Sequence, residues 1–119
     1  MRIESYKDLE AYKKSYKIVL LIYKLTNDFP KEELYGLVTQ IRRAAISVPS
    51  NITEGYMRGS KEYVQFLKIA SGSCAEIGTQ LSLSVDIGFC SQEDIIEIQS
   101  LNNEVGKLLR TYINRLSEH

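Results

Sequence analysis

The stretch QIRRAAISVPSNITEGYMRGS, Gln40 to Ser60, keeps one apolar phase on both sides of a proline. Upstream of it Leu34, Leu37, Val38, Ile41, Ala44, Ala45 and Val48 recur every three or four residues, and Ile52 continues the series beyond Pro49. That period predicts a single amphipathic helix, not a strand and not two separate helices. Proline removes one backbone donor and clashes one turn back, so a kink is expected at Pro49. The helix is expected to start at Pro30 or Lys31, where Glu32 and Glu33 complement the N-terminal dipole. Gly55 and Gly59 are expected to mark a frayed end.

The rest of the chain repeats the pattern. Leu9, Tyr12, Tyr16, Val19, Leu20 and Tyr23 predict the core face of a first helix from about Asp8 to Thr26. Its second half is apolar on the other side too, through Ile18, Leu21, Ile22 and Leu25, and a helix apolar all round is buried on more than one face. This second face is expected to meet a neighbouring subunit. Ser60 is a fitting cap for a third helix, whose seam runs Tyr63, Phe66, Leu67, Ala70, Cys74, Ile77, Leu81 and Val85 until Gly88 ends it. Ser91 with Asp94 resembles a capping box opening a fourth helix on Ile95, Ile98, Leu101, Val105, Leu108, Tyr112 and Leu116. No stretch alternates as a strand does. One all-α domain, 1–119, follows: an antiparallel up-down-up-down four-helix bundle with short connections.

Composition narrows the function classes. Fifteen basic and fifteen acidic residues give no net charge, which argues against a strongly electrostatic nucleic-acid binder. The charge is divided, however: residues 1–70 hold 12 Lys or Arg against 8 Asp or Glu, and residues 71–119 hold 3 against 7. Two cysteines, Cys74 and Cys90, form neither a disulfide framework nor a metal-ligand spacing. The segment MRIESYKDLEAYKK has no apolar signal core, and the run Ile18 to Tyr23 is too short to span a bilayer. A cytoplasmic, reducing location without membrane contact is expected.

Catalysis finds no machinery. The single histidine is His119 at the terminus, no Glu-x-x-His pair exists for a di-iron site, and the glycines never form a phosphate loop. Cys74 lies on the core face and reads as a packed small hydrophobe. A non-enzyme with no metal, cofactor or small-molecule substrate is expected. Two groups of side chains remain as candidate sites. Gln40, Arg43, Ser47, Asn51, Glu54 and Arg58 fall within about 60° of one line on a helical wheel, beside the apolar face. Such a stripe reads as a polar network between helices or subunits, with Glu76 and Gln80 as mates; the competing reading is a binding groove. Lys13, Lys17 and Lys24 share one side of the first helix, and with Arg42 and Arg58 they are candidate nucleic-acid contacts or a solvated face.

The segments YKDLEAYKKSYKIVLLIYKLTNDFPKEELYGLVTQIRRAAISVPSNITEGYMR and EYVQFLKIASGSCAEIGTQL resemble a known family. It is that of the four-helix-bundle proteins encoded by intervening sequences within bacterial 23S ribosomal RNA genes. The most specific element is QIRRAAISVPSNITEG, with its Gln40, Arg42, Arg43, Pro49, Asn51, Glu54 and Gly55. The resemblance implies a homo-oligomer, commonly a pentameric ring. It also implies kinship with the nucleic-acid-binding accessory protein of diversity-generating retroelements. Two functions follow as expectations: a scaffold associated with RNA or a ribonucleoprotein, or a protein–protein adaptor that binds no nucleic acid.

Overall fold

A computed structural model describes residues 5–117, so His119 lies outside the described residues. Four long helices carry the chain: α1 (Glu10–Thr26), α2 (Thr39–Arg58), α3 (Ser60–Ile87) and α4 (Gln92–Ser117). No strand occurs among the described residues. The bundle measures 46 × 24 × 22 Å. No described helix is long and apolar enough to cross a membrane.

The register of side-chain contacts shows how neighbours meet. Ser47 on α2 lies 2.9 Å from Ser73 on α3, and eight positions later Gly55 faces Tyr63 and Phe66. On the other side Lys14 of α1 reaches Glu104 of α4 at 2.9 Å, while Lys17 reaches Glu97 at 3.2 Å. In both pairs numbers rise along one helix as they fall along its neighbour. The connections are correspondingly short. Gly59 alone joins α2 to α3 at φ 101°, a left-handed conformation that a side chain would strain. Ser60 is therefore the first residue of α3 and not its cap. Between α3 and α4, Ser91 and Asp94 form the reciprocal pair expected of a capping box: Ser91 N–H donates to Asp94 Oδ2 at 2.8 Å, and Asp94 N–H donates to Ser91 Oγ at 3.2 Å. The Ser91 backbone N–H, and with it the Ser91 hydroxyl, holds the Asp94 carboxyl below its usual range.

Most core positions of the last three helices lie where the apolar period places them; Leu34 is instead exposed, and in α4 Asn102 and Leu109 take inward positions expected of Leu101 and Leu108, which are half-buried. Ile41, Ala45, Val48 and Ile52 of α2, Leu67, Cys74, Ile77 and Leu81 of α3, and Ile95, Val105 and Leu109 of α4 are buried together. α2 runs through Pro49 as one helix. The departure from helical backbone angles falls earlier, at Gly36 (φ −113°, ψ −115°), in the wide turn Leu34–Val38 that precedes it. Gly55 is not frayed. It is buried in the α2–α3 crossing, where a Cβ would stand 2.7 Å from Phe66 Cβ.

The first helix is the correction. Its inward residues are Ala11, Ser15, Ile18, Ile22 and Thr26. Ile18 and Ile22, expected to face another subunit, are 1% and 0% exposed within a single chain. Leu21 and Leu25 are half-buried against the same core. Tyr16 and Leu20, expected inside, are 53% and 59% exposed. Roughly 100° separates the predicted face from the observed one, one residue's rotation on the helix. The small Ala11 and Ser15 let α1 seat closely, Ser15 satisfying its hydroxyl on the Tyr12 carbonyl at 3.0 Å.

This orientation is measurable by urea denaturation. Ile18→Ala should cost about 2–5 kcal/mol, as a fully buried truncation does, whereas Leu20→Ala should change the stability of the isolated chain by less than about 0.5 kcal/mol. The reverse order would mean that α1 is rotated.

Candidate functional site

The polar stripe divides into a middle that touches α3 and ends that face water. At its centre Asn51 donates through Nδ2 to the Ser47 carbonyl at 2.7 Å and to Ser47 Oγ at 2.9 Å, and Ser47 meets Ser73 across the interface. These hydroxyls and the amide satisfy one another between two helices. Glu54 and Arg58 pair at 2.8 Å on the surface, and Arg58 also reaches Glu62 at 3.3 Å and lies over the Phe66 ring. Gln40 and Arg43 are exposed, as is Glu76. No ion pair joins Arg43 to Glu54 or Glu76 among the described residues, so the structure does not bring these expected mates together. Gln80 is half-buried with its Oε1 unpartnered, and it does not bond Asn51.

The arginine that organises this region is Arg42, one residue away. Its Nε donates to Thr26 Oγ1 at 2.9 Å, its Nη2 to Asn27 Oδ1 at 3.3 Å, and its guanidinium carbon stands 4.4 Å from the Tyr23 ring centre. A cation there also complements the C-terminal dipole of α1. Arg42 clamps the end of α1 onto α2.

Part of the basic stripe of α1 lies beside acid on α4 while remaining exposed. Lys17 pairs with Glu97, and Lys24 shares a shallow depression with Asp28, Asp94 and Glu97. Lys14, not singled out in the sequence, pairs with Glu104, which raises its pKa by hydrogen bond and charge. The charge division between chain halves is thus partly consumed where α1 meets α4. Lys13 is exposed and has no ion pair among the described residues.

What periodicity missed is the groove between α1 and α2. Tyr12, Tyr16, Val19 and Leu20 form one wall, Ile46, Pro49 and Thr53 the other, around a volume of about 460 Å³. Leu20 and Ile46 are exposed apolar side chains on its two banks. A ladder of tyrosines leads away from it: Tyr16–Tyr12–Tyr6–Tyr56–Tyr63, with successive ring centres 5.2–6.1 Å apart. Burial pushes the Tyr63 hydroxyl up to about 12, so it remains a neutral donor. Among the described residues no three His, Cys, Asp or Glu side chains converge as a metal set.

Comparison with known proteins adds a family and a fold. The sequence model of the family described as 23S rRNA-intervening sequence protein matches residues 7–111. A crystal structure of a protein with unknown function, from the S23 ribosomal protein family of Bacteroides thetaiotaomicron VPI-5482, is similar with a TM-score of 0.79. That match has 24% identity and covers 87% of this chain and 95% of the other, a likeness of fold. No curated protein matches.

The two neighbouring arginines should behave differently. Arg42→Ala removes two hydrogen bonds and a cation–π contact and should lower stability by about 1–2 kcal/mol. Arg43→Ala should leave the urea midpoint of the isolated chain unchanged. A larger loss at Arg43 than at Arg42 would contradict the clamp.

Proposed function

This chain belongs to the 23S rRNA-intervening sequence protein family, and we propose that it serves as a non-enzymatic, self-assembling scaffold associated with RNA or a ribonucleoprotein. The observation that carries the assembly is the α1–α2 groove. Tyr16, Leu20 and Ile46 stand outside the core that the chain builds for itself. Covering the half of each such side chain that is still exposed with a second copy would contribute roughly 1 kcal/mol, and contiguous exposed apolar surface of this kind marks interfaces. The family resemblance supplies the number five for the ring; the groove supplies the surface. Absence of function as an enzyme is part of the proposal, supported by a sequence whose single histidine is His119 and which contains no Glu-x-x-His pair.

The RNA part rests on the family's description and on Lys13, Lys24 and Arg43, which are exposed and make no ion pair among the described residues. A ring would repeat this small set and combine its contributions by avidity. The second reading is a protein–protein adaptor without nucleic acid. It is favoured by the engagement of Lys17, Arg42 and Arg58 in contacts within the chain.

Light scattering at micromolar concentration gives the first test. A multiple of 13.6 kDa is expected, with Leu20→Glu returning the protein to monomer while its helical circular dichroism persists. A wild-type mass of 13.6 kDa would refute assembly. Titration with single-stranded RNA then separates the readings. Weak binding that falls with salt, and is lost when Lys13, Lys24 and Arg43 are changed to Gln, supports the RNA scaffold; no binding at low salt leaves the adaptor.

A further inference from the structure

A second apolar row stands unburied on this chain, and its length and charge match the α1–α2 groove. Ile69, Leu83 and Ile87 of α3 are exposed. With the exposed Glu76 they fall within about 40° of one line on the helix. The contact of α3 with α2 is made further round the helix, by Ser73 on Ser47 and by Phe66 over Gly55. The row stands outside that contact.

Leu83 and Ile87 are one turn apart, and the α1 wall of the groove runs from Tyr12 to Leu20, about 12 Å, so both side chains fit within it. Charge selects the pairing. Residues 11–27 hold four lysines and no acid, whereas residues 69–106 hold six acids and no Lys or Arg. Lys13 and Lys24 lie within about 40° of Leu20 on the α1 wheel and about 16 Å apart along the helix. Glu76 and Asp86 bracket Leu83 and stand about 15 Å apart along α3. All four are exposed, and none makes an ion pair among the described residues. Other exposed apolar side chains match the lysines less well. Tyr35 and Met57 sit beside charges of both signs, Lys31 with Glu32 and Arg58 with Glu54, and Ile96 is the only large apolar side chain exposed on α4.

We propose that the α3 row of one copy docks into the α1–α2 groove of the next, head to tail. Leu83 and Ile87 would cover Tyr16, Leu20 and Ile46, with Glu76 and Asp86 facing Lys13 and Lys24 at the rim. The docking rests on the proposed self-assembly and adds its two surfaces and its direction. Both faces flank α2 and lie roughly a quarter turn apart around the bundle. Head-to-tail contacts so related close into a small ring instead of extending as a filament. Arg43 stays outside the pairing as the cation left to RNA.

Two variants that assemble only when mixed test the docking. Leu20→Glu spoils the groove and keeps the row; Leu83→Glu with Ile87→Glu spoils the row and keeps the groove. All three positions are exposed, so both chains should keep the helical circular dichroism and thermal midpoint of the wild type. By light scattering each should weigh 13.6 kDa alone. An equimolar mixture should give a heterodimer of twice that mass, because one intact row then meets one intact groove. Lys13→Glu with Lys24→Glu should weaken assembly by more than about tenfold, and adding Glu76→Lys with Asp86→Lys to the same chain should restore it. With an assembled wild type, a row variant that assembles equally well or a mixture that stays monomeric overturns the docking and leaves self-assembly standing. A monomeric wild type refutes self-assembly itself, and the docking with it.

Discussion

The inward stripe of α1 determines what every other surface of this protein can be. Ala11, Ser15, Ile18, Ile22 and Thr26 close the core against the other three helices. Because a helix has one rotation at a time, burying that stripe sends Tyr16 and Leu20 outward and places Lys14 and Lys17 over α4. Truncating a core isoleucine costs several kcal/mol, while an exposed ion pair is worth about 1 kcal/mol or less. The apolar stripe therefore sets the rotation, and the ion pairs follow it. The groove with α2 is the remainder: apolar surface that the chain's own core has no use for.

The same hierarchy explains the charges. A net of zero with unlike halves could serve a contact between subunits, but part of the division is met inside one chain along the α1–α4 seam. Arg42 and Arg58, which sequence alone presents as free cations, are held by Thr26, Asn27 and Tyr23 in one case and by Glu54, Glu62 and Phe66 in the other. Little cationic surface is left on α1 and α2. The proposed assembly through apolar contact consequently has the firmer physical basis in this molecule, and the proposed RNA contact would depend on repetition of a small cationic set.

Most of the fold was legible because α2, α3 and α4 each bury a single stripe, with start and stop signals at Gly59, Gly88, Ser91 and Asp94 that act locally. The phase of α1 was not legible for two reasons. Residues 18–23 are apolar in every direction, so no period is defined there; and the inward residues of its first half, Ala11 and Ser15, weigh less in any hydrophobic count than the outward tyrosines. The polar stripe was legible as a stripe, but not the partner of each member. Whether Arg42 or Arg43 clamps α1 depends on where Asn27 ends its helix, a tertiary fact. Asn102 takes an inward position that the apolar period gives to its neighbour Leu101, and its orphaned oxygen required three dimensions.

Hydroxyl-radical footprinting of the full chain, at a concentration where it assembles and again after dilution to monomer, addresses the central claim most directly. That claim is that α1 spends Ile18 and Ile22 on its own core and offers Tyr16 and Leu20 to a second copy. The account predicts that Ile18 and Ile22 stay protected in both states, while Tyr16, Leu20 and Ile46 are protected only in the assembly and become reactive on dilution. Reactive Ile18 in the monomer, or Tyr16 and Leu20 equally reactive in both states, would contradict it.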